Sequence, residues 1–383
     1  MKLSRRAEGV AASATLRLAA ELGRLRAEGV KVVSLLEGEA DLPAPTVVKT
    51  AMLRAVRGGM TRYSNSQGLP ELRAAIAAKL KHQNRIQTTA EAVLVTNGAK
   101  QAIYTALQVL CGPGDEVIVP APYWVTFPEA VKLAGAKPVF VPAMGHDLDV
   151  DALGRAVTRR TKAVLFNTPN NPTGAVYSKE ALRALAALAR KKDLAIISDE
   201  AYEALVYDGR EHFSIASLNP DAARRTVTIQ TFSKLYSMTG LRVGYLAGEA
   251  SFVKAATRLH GHVTGNVCTT VQHGALAALS LGASFREKRR AVLERRRDLA
   301  YAGASRIFDA LKPRGGFFVF ADARRHLGGR FKTSVALAEH LLKSARVAVV
   351  PGSACGVEGF LRISFSASES DIKEGLRRIE AAL

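Results

Sequence analysis

Residues 231–245 read Thr-Phe-Ser-Lys-Leu-Tyr-Ser-Met-Thr-Gly-Leu-Arg-Val-Gly-Tyr. Lys234 stands among small, hydroxyl and apolar residues, just after the β-prone run Thr226-Val-Thr-Ile-Gln. Desolvating an ammonium group is expensive, so a lysine in such surroundings implies a use for its amine. The preceding run has the look of a buried strand, and the same pattern extends in both directions along the chain.

Upstream, strands are expected at 92–96, 116–119, 138–141, 162–166, 194–198 and 225–230, and helices at 70–83, 99–110, 124–134 and 178–191. Several strands are continuous apolar runs, as burial on both faces requires. Their alternation with helices predicts a mostly parallel sheet covered on both sides. A strand at 242–247 follows the Lys234 loop. After Gly248 the pattern turns helical to about residue 311, and strands return in Gly316-Phe-Phe-Val-Phe, Val347-Ala-Val-Val and Phe360-Leu-Arg-Ile-Ser-Phe. The fold class is therefore α/β, a large domain with its sheet sandwiched by helices plus a smaller α+β domain. The expected division is an N-terminal arm and strand at 1–45 joining the small domain, a large domain at 46–275 and a small domain at 276–383. Helix 16–28 stops at Gly29, and the strand beginning at Val30 is assigned to the small domain.

The 383 residues are long enough for two cores. With 48% hydrophobic and 23% charged residues the composition is that of a globular protein. No apolar run reaches the roughly 18 residues of a membrane helix, and no secretory signal pattern opens the chain. Cys111, Cys268 and Cys355 are too widely spaced to suggest a metal site. Cytoplasm is the expected compartment. The net charge of +20 raises nucleic acid as a partner, but the densest cluster, starting at Arg286, reads as one solvated helix face interrupted by Glu287 and Glu294. Neither nucleic acid nor membrane is expected as a partner.

In open α/β sheets ligands sit beyond the carboxyl ends of the strands. Four polar features occupy such ends: Asn97-Gly98-Ala99-Lys100, Asn167 to Gly174, Asp199 to Tyr202, and Thr231 to Lys234. The first directs free backbone N–H groups of a helix start above the sheet, where an anion such as phosphate is favoured, although an ordinary strand–helix turn reads the same way. The second is also a plain turn sequence, and Asp199 alone would serve as a helix cap. Neither G-x-G-x-x-G after a strand nor G-x-x-x-x-G-K-[ST] occurs, which removes support from dinucleotides and P-loop nucleotides. Thr231-Phe-Ser-Lys234 matches S/T-x-x-K, but without Ser-Asp-Asn or Lys-Thr-Gly, and after a strand, the hydrolase reading fails. A lysine in a dry pocket suits Schiff-base chemistry instead.

Lys234 with Arg242 eight residues on resembles the lysine signature of class I/II aminotransferases, pyridoxal 5′-phosphate (PLP) enzymes of fold type I, most closely the bacterial aspartate aminotransferase type. Asn171-Pro-Thr-Gly174, Asp199-x-x-Tyr202, Tyr63 five residues before Gly68-Leu-Pro-Glu-Leu-Arg, and Phe360-Leu-Arg362-Ile-Ser follow in the order of that family. The resemblance implies that Lys234 bonds covalently to PLP and shuttles a proton, that Asp199 pairs with the pyridine nitrogen, and that Tyr202 and Asn171 bond its O3′. It implies that Trp124 stacks on the ring. The phosphate falls to Gly98, Ala99, Lys100, Thr231, Ser233 and Arg242, with Tyr63 reaching in from the second subunit of a homodimer. Arg362, Asn171 and the Gly38 N–H would bind the substrate carboxylate.

Lys100 and the run Ser13-Ala-Thr15 resemble positions that contact the distal carboxylate in bacterial aspartate aminotransferases, which favours an aspartate- or glutamate-type or broad specificity, with a 2-oxo acid as acceptor. Two features depart from the family pattern: Glu37 before Gly38, and Gly265-Asn266-Val-Cys268, which lacks the usual proline. A PLP lyase on the same scaffold, either a C–S β-lyase or an amino-cyclopropane-type synthase, is the alternative. A non-catalytic PLP-binding regulator would need an added DNA-binding domain for which the motifs leave no room.

Overall fold

A computed structural model describes residues 2–11 and 14–383. The strands in chain order are β1 (Val33–Ser34), β2 (Val93–Thr96), β3 (Glu116–Ala121), β4 (Lys137–Pro142), β5 (Thr161–Asn167), β6 (Ala195–Asp199), β7 (Thr226–Thr231) and β8 (Gly244–Ala247). Seven of them, β2 to β8, form one sheet in the order β2-β8-β7-β6-β5-β3-β4. All run parallel except β8, which is antiparallel to both β2 and β7. Alternate residues of a strand face opposite sides, and both sides are covered. Leu165 and Ile197 pack with Ile103, Leu107 and Val253 on one face; Val164, Phe166 and Ile196 pack with Leu182 and Leu185 on the other. Each such fully buried aliphatic side chain contributes about 1.5–3 kcal/mol of transfer free energy.

The helices end where the sequence signals say they should. Lys179–Lys192 starts with Ser178 Oγ accepting from the Ala181 N–H at 3.1 Å, carries Arg190, Lys191 and Lys192 in its last turn, and stops at a left-handed Asp193. Ala99–Leu110 differs: its N-cap is Gly98, with no capping side chain and no acidic residue in the first turn. Its free N–H groups are left for something else.

The remaining strands are β9 (Asp309–Ala310), β10 (Phe318–Asp322), β11 (Val347–Ala348), β12 (Val350–Pro351) and β13 (Phe360–Ser364). Four form an antiparallel sheet ordered β12-β13-β10-β9, while β1 pairs in parallel with β11. The early strand thus joins the late ones, although its ladder is only two residues long. Phe317, Phe318, Val319, Leu361 and Ile363 share a core cluster with Val95, Phe232 and Tyr245 from the large sheet. The strand expected from residue 242 begins instead at Gly244. Arg242 has φ +52°, a left-handed conformation that no strand contains.

Registers bring the chemistry together. Asn167 is paired with Asp199 across β5 and β6, and Asp199 with Ile229 of β7. Hence Asn167, Asp199 and Thr231, the final residues of three adjacent strands, share one edge of the sheet.

Candidate functional site

At that edge lies a cavity of about 370 Å³. Of the residues singled out from sequence, Gly38, Ala99, Lys100, Trp124, Asn171, Asp199, Tyr202, Thr231, Ser233, Lys234, Arg242 and Arg362 line it. A separate recess of about 480 Å³, bordered by Arg85, Arg210, Arg286 and Arg290, collects none of them.

Lys234 follows β7 by three residues and turns back beneath the loop at Gly38, whose carbonyl accepts from Nζ at 2.6 Å. Its ammonium lies 5.5 Å from the centre of the Tyr202 ring and 5.9 Å from that of Phe317. Burial lowers its pKa to about 8, against the opposing pull of the Asp199 carboxylate. Asp199 is only 3% exposed. Burial pushes its pKa up to about 7, although the Ala201 N–H donates to Oδ1 at 3.1 Å and Lys234 stands near. Tyr202, also buried, has its phenol pKa raised by the same desolvation, and its ring meets Phe317 edge-on at 5.1 Å.

Arg362 is 4% exposed in the middle of β13. Its Nη1 donates to Asn171 Oδ1 at 3.1 Å, and Nη2 to the Leu36 carbonyl at 2.7 Å. The guanidinium lies 4.3 Å over the Phe318 ring. Its buried Nε has no acceptor among the described residues. Within the Asn-rich loop the two central asparagines divide the work: Asn170 donates to Asn167 Oδ1 at 3.0 Å and holds the loop, while Asn171 faces Arg362.

A second group of donors gathers opposite. Thr231 Oγ1 and Ser233 Oγ lie 2.9 Å apart, and the Ser233 N–H donates to Thr231 Oγ1 at 3.1 Å. Arg242 Nη1 donates to the Thr239 carbonyl at 2.7 Å. Gly98 adopts φ +78°, and a Cβ at this position would stand 2.8 Å from Arg242 Nη2. Backbone, arginine and the open helix end at Ala99 therefore share a space too tight for any side chain at position 98. The Lys100 ammonium lies 5.4 Å from the centre of the Trp124 ring, and burial lowers its pKa.

Tyr63 does not reach this cavity from its own chain; it is 96% exposed. Ser13 lies outside the described residues, and Thr15 falls in the helix Ala14–Ala27. Leu36, Glu37, Asn167, Ala201 and Thr239 also line the cavity. Asn167 follows from the strand-end rule, whereas Leu36 holds Arg362, and Thr239 holds Arg242, through backbone carbonyls that no side-chain pattern announces.

A buried carboxylate, a depressed amine, an indole, paired hydroxyls beside an open helix start, and an arginine with an unmatched N–H fit the ring nitrogen, aldehyde, ring face and phosphate of PLP and the carboxylate of an amino acid. The comparisons with known proteins agree. The family model for class I and II aminotransferases matches residues 30–379. A probable aspartate/prephenate aminotransferase of Aquifex aeolicus is 42% identical, with 100% of this chain and 98% of that protein covered. The aspartate aminotransferase of Bacillus subtilis is 39% identical over 99% and 98%. Among solved structures, aspartate aminotransferase from Thermus thermophilus with maleate superposes with a TM-score of 0.95 at 40% identity, covering both chains fully. With sequence match, fold and cavity all in agreement, the chain belongs to the class I and II aminotransferases, as a PLP-dependent transaminase of fold type I.

Proposed function

We propose that Lys234 carries the cofactor covalently and moves the proton, that Asp199 fixes the pyridine nitrogen, and that Arg362 takes the substrate carboxylate. The observation that carries this reading is the convergence of Lys234, Asp199 and Arg362 on one cavity from three distant parts of the chain. PLP supplies an electron sink for the α-carbon of a bound amino acid. The chain's part is to orient and to handle protons. Asp199, held by the Ala201 N–H, would pair with the ring nitrogen and keep it protonated. Lys234 Nζ, with a pKa brought down to about 8 by burial, accepts and returns a proton near neutral pH. Asn171 and Tyr202 would bond the ring oxygen, and Trp124 would cover the ring. The backbone N–H groups at Gly98, Ala99 and Lys100, the hydroxyls of Thr231 and Ser233, and the Arg242 guanidinium would hold the phosphate. Phe318 beneath Arg362 excludes water and keeps the guanidinium flat for a two-pronged grip.

The preferred donor in this reading is aspartate or glutamate, with a 2-oxo acid as acceptor. Lys100 at the cavity supports it, as do the names of the relatives. Tyr63 and the neighbouring apolar residues Leu53, Val56 and Met60 are all exposed, which supports a homodimer in which Tyr63 completes the second subunit's phosphate site. No described helix is long and apolar enough to cross a membrane, and a cytoplasmic location is the reading proposed. The decisive experiment is Lys234→Ala. The wild-type protein should convert an acidic amino acid to its oxo acid with stoichiometric formation of pyridoxamine phosphate, and the variant should not. Turnover by Lys234→Ala, or no reaction of the wild type with either acidic donor, rejects the assignment.

A further inference from the structure

Residues 36–41 cross the cavity as a strap whose successive residues are tied to different walls. Leu36 O accepts from Arg362 Nη2 at 2.7 Å, Glu37 O from Ser366 Oγ at 3.1 Å, and Gly38 O from Lys234 Nζ at 2.6 Å. Glu39 Oε2 accepts from the Thr239 hydroxyl, 200 residues away in sequence. Asp41 is gripped by both Nη atoms of Arg296, at 2.6 and 3.3 Å, and its N–H donates to Ser366 O at 3.2 Å.

These ties are not equivalent. Two of them, at Leu36 and Gly38, use the very groups assigned above to substrate and cofactor, and the inference rests on that assignment. Once Lys234 is bonded to the cofactor and Arg362 to a carboxylate, both amine and guanidinium have better partners than a backbone carbonyl. The strap then keeps its ties at Glu37 and Asp41, both on the Ser366 side, and loses those at Leu36 and Gly38. Of the contacts spanning the cavity mouth, the one from Glu39 to Thr239 is untouched by loading. Thr239 belongs to the turn between Lys234 and Arg242, and its carbonyl holds Arg242 Nη1 at 2.7 Å. The Glu39 carboxylate also stands close enough to Lys234 to favour its charged form.

We propose that Glu39 is a positioning residue: its bond to Thr239 latches the strap across the loaded cavity and so holds the Gly38 N–H over the bound substrate. The latch is solvent-exposed, so its loss weakens binding modestly, by about three- to tenfold.

The test uses the holoenzyme and compares Glu39→Ala, Thr239→Val, Thr239→Ser and the Glu39→Ala/Thr239→Val double variant. Glu39→Ala should raise KM for donor and acceptor about three- to tenfold with kcat within about twofold of wild type. Thr239→Val should raise KM alike, the double variant should add nothing further, and Thr239→Ser, which keeps the hydroxyl, should restore it. With saturating donor, amides 36–40 should exchange hydrogen faster in Glu39→Ala than in wild type, while those beyond Asp41 stay unchanged. An unaltered KM in Glu39→Ala, additive defects in the double variant, or equal exchange at 36–40 overturns the latch. Arg362→Lys is run alongside. If it binds substrate normally, the underlying assignment of Arg362 has failed; if it is impaired while Glu39→Ala behaves as wild type, only the latch has.

Discussion

Adding one methyl group at Gly98 challenges the cofactor-binding reading with the least disturbance elsewhere. With φ +78° and ψ 171°, Gly98 occupies backbone space essentially closed to L-residues, at a cost of about 1–3 kcal/mol. A Cβ would also stand 2.8 Å from Arg242 Nη2 and 3.2 Å from its Cζ. The guanidinium is not free to swing aside, because Nη1 is bonded to Thr239 O at 2.7 Å and Nη2 reaches Asn97 O at 3.5 Å. Gly98→Ala therefore has two separable effects. Strain lowers the Tm of the cofactor-free protein by about 1–4 °C, given the unfolding entropy of a chain this long. Displacing Arg242 costs at least one bond to a charged group, which raises the Kd for phosphate-bearing ligand about tenfold to 150-fold. The ligand to titrate is pyridoxamine 5′-phosphate, whose amine forms no covalent bond with Lys234, and quenching of Trp124, the one tryptophan, reports it. In an Arg242→Ala background, Gly98→Ala should still lower Tm but cost little further affinity. If Gly98→Ala loses stability yet keeps wild-type affinity, Arg242 does not hold the phosphate from its present position and the reasoning fails.

Two further outcomes follow from burial. Asp199 holds its proton up to about pH 7 because it is desolvated, whereas in the unfolded chain it releases it near pH 4. Between those values the folded chain binds more protons, so stability falls as pH rises, by up to about 1.4 kcal/mol per unit, and levels off above 7. The cofactor-free stability of wild type minus that of Asp199→Asn should show this slope, and a flat difference from pH 4 to 7 refutes it. Arg362→Lys keeps the charge but loses the fork that engages Asn171 and Leu36 O. It should lower kcat/KM for amino acid donors about a hundredfold, the value of one to two bonds to a charged group, with pyridoxamine phosphate affinity unchanged.

The large sheet was legible because most of its strands are buried on both faces, several of them as unbroken apolar runs, and because β2, β5, β6 and β7 each end in a polar residue. That same rule points to Asn167, Asp199 and Thr231. The small sheet was harder to read: β11 and β12 are two residues each and serve different sheets, with Val349 between them. Residue 242 misled for a local reason. Leu-Arg-Val-Gly-Tyr has strand composition, but Arg242 takes a left-handed turn that brings its guanidinium back to Gly98, and strand pairing starts only at Gly244. Phe318 looked like a strand residue and is one, yet it also forms the platform under Arg362. The strap was legible only at Gly38, since its other contacts use main-chain oxygens and an exposed glutamate. Tyr63 remains outside its own chain's cavity, and a sequence pattern contains no information on which copy of a chain a side chain serves.

The charges in the cavity bear directly on the acidic donor proposed above. Lys100, Lys234, Arg242 and Arg362 converge there against the single carboxylate of Asp199 and the rim residue Glu37. Desolvation depresses the pKa of Lys234 and Arg362 and, at the cavity's more open side, of Lys100. In the reading proposed above, a phosphate beside Gly98 would answer Arg242, covalent attachment would remove Lys234 as a free cation, and an α-carboxylate would answer Arg362 and its buried Nε. One cation is then left over, the ammonium of Lys100, 5.4 Å from the centre of the Trp124 ring. A donor with a neutral side chain leaves that charge unpaired, and one with a second carboxylate pairs it. The acidic donor proposed above is therefore the one that counting charges favours, and the count predicts that Lys100→Met narrows the kcat/KM gap between aspartate and alanine mainly by weakening aspartate. If aspartate turnover is unaffected, Lys100 is not the counter-ion and the count must be closed elsewhere.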